Sequence, residues 1–146
     1  MHILRQKTVV KLVVKNITKE ILFLVRSDTH PLYKGQLDLP GGLSKKNEKP
    51  IKAVMRELQE ETGITVDSTP TLLFYKKILT SSETINYYLY SINIDSLDSS
   101  NIKLSNEHKS IKTILQSQIK NIDLTQLTDN YILSAIDFLK TMPHQK

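Results

Sequence analysis

The segment from Gly42 to Ile64 concentrates acid on a stretch that should form a helix. Four of the seven glutamates of this 146-residue chain lie between positions 48 and 61. Pro50 suits a first helical turn, because the amide hydrogen that proline lacks has no partner there. Gly63 suits the left-handed residue that ends many helices. The sequence therefore predicts a helix over residues 50–62.

This predicted helix has an apolar stripe and a separate acidic face. At about 100° per residue, the stripe that should pack on a core is formed by Ile51, Val54, Met55, Leu58 and Thr62. The acidic face carries Glu57, Glu60 and Glu61 at spacings of three and four residues, and Ala53 leaves space one turn before Glu57. Like charges at these spacings destabilise a helix by roughly a few tenths of a kcal/mol per pair. The acidic face therefore points to a role other than helix stability.

Clustered carboxylate oxygens are the ligands that hard divalent cations need. Magnesium typically binds a few carboxylates, keeps several waters and bridges to substrate phosphates. The preceding stretch from Leu39 to Gly42 predicts a flexible turn whose carbonyls can approach a metal closely. A solvated acidic surface is the alternative, and the charge crowding and the Gly-Gly turn weigh against it. The residues alone favour a magnesium site.

The same segment matches a family signature without a gap. Its specified residues are Gly42, Glu48, Arg56, Glu57, Leu58, Glu60, Glu61, Gly63 and Ile64, with five residues between the first two and seven before Arg56. In this pattern the chain resembles the Nudix hydrolases (MutT-like). An apolar residue shortly before a Pro-Gly-Gly turn, here Leu37 before Pro40, is a further similarity. The resemblance is motif-specific over residues 35–64, and the order of elements fits nearly the whole chain.

The resemblance implies a fold, a reaction and a cofactor. The fold is α/β, an α/β/α sandwich around a central mixed β-sheet, in a single domain over residues 1–146. The reaction is hydrolysis of a nucleoside diphosphate linked to another group, by water attacking a phosphorus of the pyrophosphate. The cofactor is Mg²⁺ or Mn²⁺, with Glu57, Glu60 and Glu61 as ligands and a carbonyl of Gly41 or Gly42 assisting. Because clustered carboxylates raise one another's pKa, one of them is a candidate base.

Further site residues follow from the resemblance. Arg56 and Glu48 are expected to form an internal ion pair that orients Glu57, and we count Arg56 with Glu57 and Glu60 as catalytic. Glu107 resembles a distal glutamate that binds metal or acts as base in relatives. A plain surface loop is the alternative for this stretch, and the adjacent His108 is interpreted as a loop residue.

Three residues are expected to contact the substrate. Arg26, at the end of a strand, and the two glycines Gly41 and Gly42 are the candidates, and a strand-end surface arginine is the alternative for Arg26. The lysines at positions 45, 46 and 49 would steer phosphates toward the metal, or simply solubilise the surface. The formal net charge of +5 comes from scattered residues, which disfavours nucleic acid as a partner.

Composition and the lengths of the apolar segments indicate the cellular compartment that we expect for this protein. The chain has no cysteine, which excludes disulfides and thiolate zinc sites. The start, Met1 to Lys7, lacks the apolar stretch of a signal peptide, and the longest aliphatic run, Ile21 to Val25, is far too short to cross a membrane. We therefore expect a cytoplasmic protein with no membrane partner. The sequence leaves open whether the chain forms a homodimer.

Apolar patterning predicts the other elements. Strands are expected at Thr8–Val14, Ile21–Val25, Thr71–Ile78, Ile85–Ile94 and Ile111–Leu115, and an amphipathic helix at Asp129–Lys140. The first two strands should form a hairpin. Tyr88 and Tyr90 should share one face of their strand, opposite Tyr87, and pack there rather than stack a base.

The substrate is inferred by elimination. Residues typical of the ADP-ribose and diadenosine-polyphosphate branches of the resembled family are displaced or missing, which favours a (d)NTP-type nucleotide cleaved to monophosphate and pyrophosphate. The alternatives are a nucleotide-binding sensor without turnover, and a hydrolase of RNA 5′ ends or dinucleoside polyphosphates.

Overall fold

The computed structural model describes residues 4–30 and 32–142. Met1 to Ile3, from the stretch that we expect not to be a signal peptide, lie outside these ranges, as does Pro31 of the loop after the second strand.

In these ranges, one mixed sheet contains seven strands. They are β1 (Arg5–Lys15), β2 (Glu20–Arg26), β3 (Leu37–Asp38), β4 (Gly41–Leu43), β5 (Thr71–Leu79), β6 (Glu83–Asn93) and β7 (His108–Leu115). The order is β3-β2-β1-β6-β5, with β4 also paired to β1 and β7 to β2. The β1–β6 pair is parallel and the other pairs are antiparallel. The predicted mixed sheet is confirmed.

The predicted hairpin of β1 and β2 forms only at its turn. The two strands pair at Lys15 and Ile21 and then separate. The space along β1 is taken by β4, which pairs with residues 9–11, while β2 pairs with β7 over most of its length. The segment with Gly41 and Gly42, which was predicted to be a turn before α1, is thus part of the sheet.

Two helices cover opposite faces of this sheet. They are α1 (Pro50–Thr62) and α2 (Asn130–Thr141). Pro50 opens α1, and Gly63 ends it with φ of 76° and an N–H donated to the carbonyl of Gln59, as the sequence predicts. Asp129 caps α2 by accepting the N–H of Tyr131 at 2.9 Å. Short 3-10 turns lie at Ser99–Asn101, Gln116–Asn121 and Leu124–Gln126.

Each face of the sheet buries its own apolar cluster. On the α1 side the cluster includes Val10, Leu12, Leu22, Leu24, Val54 and Leu58, and on the α2 side Val9, Val13, Phe23, Tyr87, Ile132 and Ile136. Because strand residues alternate between faces and both faces are covered, the stretch from Val9 to Val14 of β1 and that from Ile21 to Val25 of β2 are apolar at nearly every position. The α1–sheet–α2 layering confirms the predicted α/β/α sandwich.

Side-chain packing bears on two further predictions, namely the faces of the β6 tyrosines and the role of Ala53. Tyr88 and Tyr90 stack with ring centroids 6.2 Å apart on the α1 side, opposite Tyr87, as predicted. Ala53, which we expected to leave space beside Glu57, is fully buried in the α1-side cluster. No helix in the described part of the chain is long and apolar enough to span a membrane.

Candidate active site

A cleft of about 620 Å³ gathers most of the predicted site residues. It is lined by Glu57, Glu61, Glu107, Arg26, Gly41 and Gly42, among others. These residues come from α1, the loop before β7, the end of β2, and β4, so four segments of the chain converge on one opening. Of the predicted site residues, Arg56 and Glu60 do not line the cleft.

The three glutamates of α1 differ in burial. The side chain of Glu61 is 4% exposed, that of Glu57 15% and that of Glu60 49%. Glu61 turns inward and accepts the N–H of Gly41 at 2.7 Å. Two of the predicted carboxylates therefore line the cleft, while the third, Glu60, is half exposed and does not line it.

Burial gives Glu61 an unusual proton affinity. It raises the pKa of this carboxyl to about 8, although the charge of Lys11 and the hydrogen bond from Gly41 act in the opposite direction. The negative charges of Asp38 and Glu57 add to the rise. Glu61 therefore keeps its proton to a higher pH than an ordinary glutamate does.

Cation affinity should consequently increase with pH. A cation needs the carboxylate form of Glu61, so binding below pH 8 releases a proton, and the apparent affinity should rise about tenfold per pH unit from pH 6 toward 8 and then level off. Calorimetric titration with Mg²⁺ in buffers of different ionisation enthalpy measures this release. In Glu61→Gln the pH dependence should largely disappear. A flat wild-type profile between pH 6 and 8 would contradict the assignment.

The Gly-Gly step is a strand rather than the predicted flexible turn. Gly41 and Gly42 pair with Lys11 and Val10 of β1. A Cβ on Gly41 would lie 2.0 Å from the carbonyl oxygen of Val10, and its φ is 147°. A Cβ on Gly42 would lie 2.8 Å from the carboxyl carbon of Glu57. Glycine is needed here for close approach of β1 and of a carboxylate, not for flexibility.

The Gly42→Ala variant should therefore displace the Glu57 carboxylate. We expect kcat to fall on the order of 10²-fold, as for a misplaced catalytic group, with the fold retained because the obstructing atoms end a side chain. Steady-state kinetics and thermal unfolding measure the two effects. Gly35→Ala is the control: its φ is 74°, nothing lies within 4 Å of the added Cβ, and it should reduce stability without a comparable loss of kcat. Equal kinetic effects in both variants would contradict the role of Gly42.

The predicted ion pair between Arg56 and Glu48 is present. Arg56 donates from Nε and Nη2 to the two oxygens of Glu48 at 2.8 and 3.0 Å, and from Nη1 to Glu57 at 3.2 Å and Glu60 at 3.0 Å. Hydrogen bonds from Arg56 and from the N–H of Lys45 lower the pKa of Glu48 to about 2. The Arg56 guanidinium thus links Glu48, in the loop before α1, to Glu57 and Glu60 of the helix. A catalytic role for Arg56 stays a prediction.

A buried charge cluster, most of whose members line the cleft, was not predicted from the sequence. Asp38 accepts from Lys11 Nζ at 2.8 Å and lies 2.8 Å from His108 Nε2 and 3.2 Å from Arg26 Nη2. Arg26 also pairs with Asp129, which caps α2. Burial alone would raise the pKa of Asp38, but Lys11, His108 and Arg26 hold it well below the usual range.

Two interpretations from the sequence are corrected by this cluster. Arg26 is 6% exposed and not a surface arginine, and the ring of Tyr33 lies 5.0 Å from its guanidinium carbon. His108 is the first residue of β7, 4% exposed, and not a loop residue. A substrate contact from Arg26 stays a prediction.

The lysines of the cleft are not those singled out from the sequence. Lys45, Lys46 and Lys49 are exposed and do not line it. Lys7 and Lys11 do, and Lys11 is engaged with Asp38. Steering of phosphates by the exposed lysines stays a prediction.

The donor set of the cleft fits a divalent cation. Among its lining residues, five carboxylates (Asp38, Glu57, Glu61, Glu107 and Asp129) face three cationic side chains (Lys7, Lys11 and Arg26). Burial and the charges of Glu60 and Glu107 raise the pKa of Glu57, although Arg56 counteracts them. A bound cation would offset this excess of acid, and oxygen donors are what Mg²⁺ and Mn²⁺ prefer.

Comparison with known proteins identifies one matching family model and solved structures of similar fold. A family model described as NUDIX domain matches residues 5–132. A search of curated proteins gave no significant match.

Solved structures of similar fold include two MutT proteins and an Ap4A hydrolase. The MutT protein from Methanosarcina mazei Go1 is 24% identical, with 94% of this chain and 92% of that chain covered and a TM-score of 0.73. A MutT NUDIX hydrolase from Burkholderia pseudomallei is 20% identical, with 91% and 97% covered and a TM-score of 0.69. A C. elegans Ap4A hydrolase is 19% identical, with 90% and 92% covered and a TM-score of 0.59.

Proposed function

This chain belongs to the NUDIX family of hydrolases, and from that premise we propose that it is a pyrophosphohydrolase of (d)NTP-type nucleotides. It would release a nucleoside monophosphate and pyrophosphate with Mg²⁺ or Mn²⁺ as cofactor. The observation that carries the proposal is the convergence of Glu57, Glu61 and Glu107 on one cleft of about 620 Å³.

The glutamates of the site would have different roles in the reaction. Glu57 and Glu61 would hold the cation, and the half-exposed Glu60 would be a third ligand. A bound cation neutralises charge on the phosphate oxygens and acidifies water. Glu107, whose charge reaches Glu57, would accept the proton of the attacking water. An oxygen–phosphorus bond forms at one of the two phosphorus atoms of the scissile anhydride as its bridging phosphorus–oxygen bond breaks, and monophosphate and pyrophosphate separate.

The apolar and aromatic residues of the cleft suit the nucleoside. They include Leu32, Tyr33, Leu43 and Tyr131. Leu32 is 60% exposed and Leu43 56%, so apolar side chains are available to a base or sugar. Lys7 lines the same cleft with a partly exposed ammonium 3.5 Å from Glu83, and would contact a phosphate.

Dinucleoside polyphosphates are a second candidate substrate class. A protein named as an Ap4A hydrolase shares the fold over 90% of this chain, and the same acidic cleft would cleave such a substrate. The single domain over residues 1–146, the cytoplasmic location and the homodimer stay predictions.

A substrate panel with product analysis tests the proposal. The purified chain is incubated with Mg²⁺ and each canonical dNTP and NTP, diadenosine tetraphosphate, ADP-ribose and 5′-triphosphorylated RNA, and products are separated by ion-exchange chromatography. We expect the fastest release of monophosphate and pyrophosphate from one or more nucleoside triphosphates. Faster cleavage of the dinucleotide would favour the second class. Binding of nucleotide without any product would indicate a sensor.

A further inference from the structure

The imidazole of His108 presents an unused nitrogen to Glu61. The ring is buried, and its Nδ1 has no hydrogen-bond partner among the described residues. Nδ1 lies 3.6 Å from Oε2 of Glu61, which is too long for an effective hydrogen bond. A buried polar nitrogen without a partner carries a cost of desolvation that needs an explanation.

The other side of the ring fixes its tautomer. His108 Nε2 lies 2.8 Å from Oδ2 of Asp38, whose second oxygen is engaged by Lys11 and Arg26. Flanked by two cations, Asp38 is ionised and can only accept, so Nε2 carries the hydrogen. In the neutral ring, Nδ1 then carries no hydrogen, and its lone pair points toward Glu61.

When Glu61 is ionised, its Oε2 and Nδ1 of His108 are two acceptors facing each other in a buried setting, and they require a positive centre between them. That centre is either a proton or a metal ion. Two ligand atoms of one ion, each bound at about 2.1 Å, lie roughly 3.0 to 3.5 Å apart, close to the separation of 3.6 Å. An imidazole whose other nitrogen donates to a carboxylate is also a recurrent arrangement of metal-binding histidine.

We propose that Nδ1 of His108 is a ligand of the divalent cation held by Glu61, and that Asp38 orients the imidazole. The inference rests on the proposed function, because it presumes a cation at Glu61. Lys11 and Arg26 do not oppose it, since their charges are matched by Asp38 and Asp129.

A nitrogen ligand changes which cation the site prefers. Imidazole suits transition metals, while an all-oxygen site suits magnesium. The chain should therefore select Mn²⁺ and Co²⁺ over Mg²⁺ more strongly than the carboxylates alone would. In His108→Gln the Co²⁺ affinity measured by calorimetry should fall by about tenfold or more, in line with the loss of a metal-orienting group, and the Mg²⁺ affinity should fall less.

Pulsed EPR of Mn²⁺ bound to the whole chain tests the assignment directly. We expect a ¹⁴N coupling of imidazole in the wild type that changes to a ¹⁵N coupling when histidine is ¹⁵N-labelled. The coupling should be absent in His108→Gln and retained in His30→Gln. His30 lines the same cleft, but its Nδ1 already accepts the N–H of Leu32 at 3.1 Å.

The outcomes separate the inference from the proposed function. Mn²⁺ that binds to the wild type without nitrogen coupling would overturn the role of His108 and leave the carboxylate site standing. Coupling that persists in His108→Gln would likewise overturn it. Failure of the folded wild type to bind Mn²⁺ would remove the cation from Glu61 and count against both. If His108→Gln does not fold, the coupling of ¹⁵N-histidine-labelled His30→Gln decides: its retention supports His108, and its loss assigns the nitrogen to His30.

Discussion

Glu57→Gln and Glu61→Gln should each lower kcat by on the order of 10³-fold, in the range lost with a metal ligand or an acid–base group. Glutamine keeps the shape of glutamate, and at position 61 its oxygen can still accept the N–H of Gly41. What it removes is the charge that holds a cation. Circular dichroism and thermal unfolding should show an intact fold, and steady-state kinetics with Mg²⁺ should show the loss.

Glu20→Gln is the matched control for this pair. Glu20 lies at the turn between β1 and β2, bonded to Asn16 and Thr18, and does not line the cleft. Its kcat should stay within about twofold of the wild type, as expected for a surface change. Near-wild-type rates in both Glu57→Gln and Glu61→Gln would show that α1 does not carry the metal site.

Asp38→Ala should lower the free energy of unfolding by about 3–5 kcal/mol, because it leaves buried cations without their partner. Lys11 is 5% exposed, and Arg26 would retain only Asp129. Burial by itself lowers the pKa of Lys11, and the charges of Asp38 and Glu61 raise it above the ordinary value, so Asp38 is what keeps this ammonium charged. Urea unfolding at pH 7 measures the loss.

Asp28→Ala tests the same chemistry at the surface. Asp28 pairs with Lys109 at 2.9 Å, but its side chain is 76% exposed. An exposed pair contributes about 0–1 kcal/mol, so this variant should be close to the wild type. An Asp38→Ala loss no larger than that of Asp28→Ala would contradict the account of the buried cluster.

Features set by neighbouring residues were predicted well from the sequence. The bounds of α1 depend on Pro50 and Gly63, whose conformational preferences act within one turn. The ion pair of Arg56 with Glu48 spans eight residues and follows from the family signature. The apolar runs of β1 and β2 reflect burial on both faces, which is visible in composition alone.

Features set by distant residues were missed. The partners of Asp38 lie 27 residues away at Lys11 and 70 away at His108, and no local pattern joins them. The insertion of β4 beside β1 also depends on the global path of the chain. A usable signal was present, because a lysine inside the apolar run of β1 is seldom buried without a carboxylate partner. That partner could not be identified before the strands were placed.

Removal and restoration of the divalent cation tests the central claim most directly. The wild type is stripped with a chelator and assayed on its best nucleotide substrate, then titrated with Mg²⁺ and Mn²⁺, with Glu57→Gln in parallel. The account predicts no measurable release of monophosphate from the stripped protein, recovery on addition of either cation, and little recovery in the variant. Full turnover by the stripped wild type, or no turnover of any nucleotide by the folded protein with cation present, would contradict it.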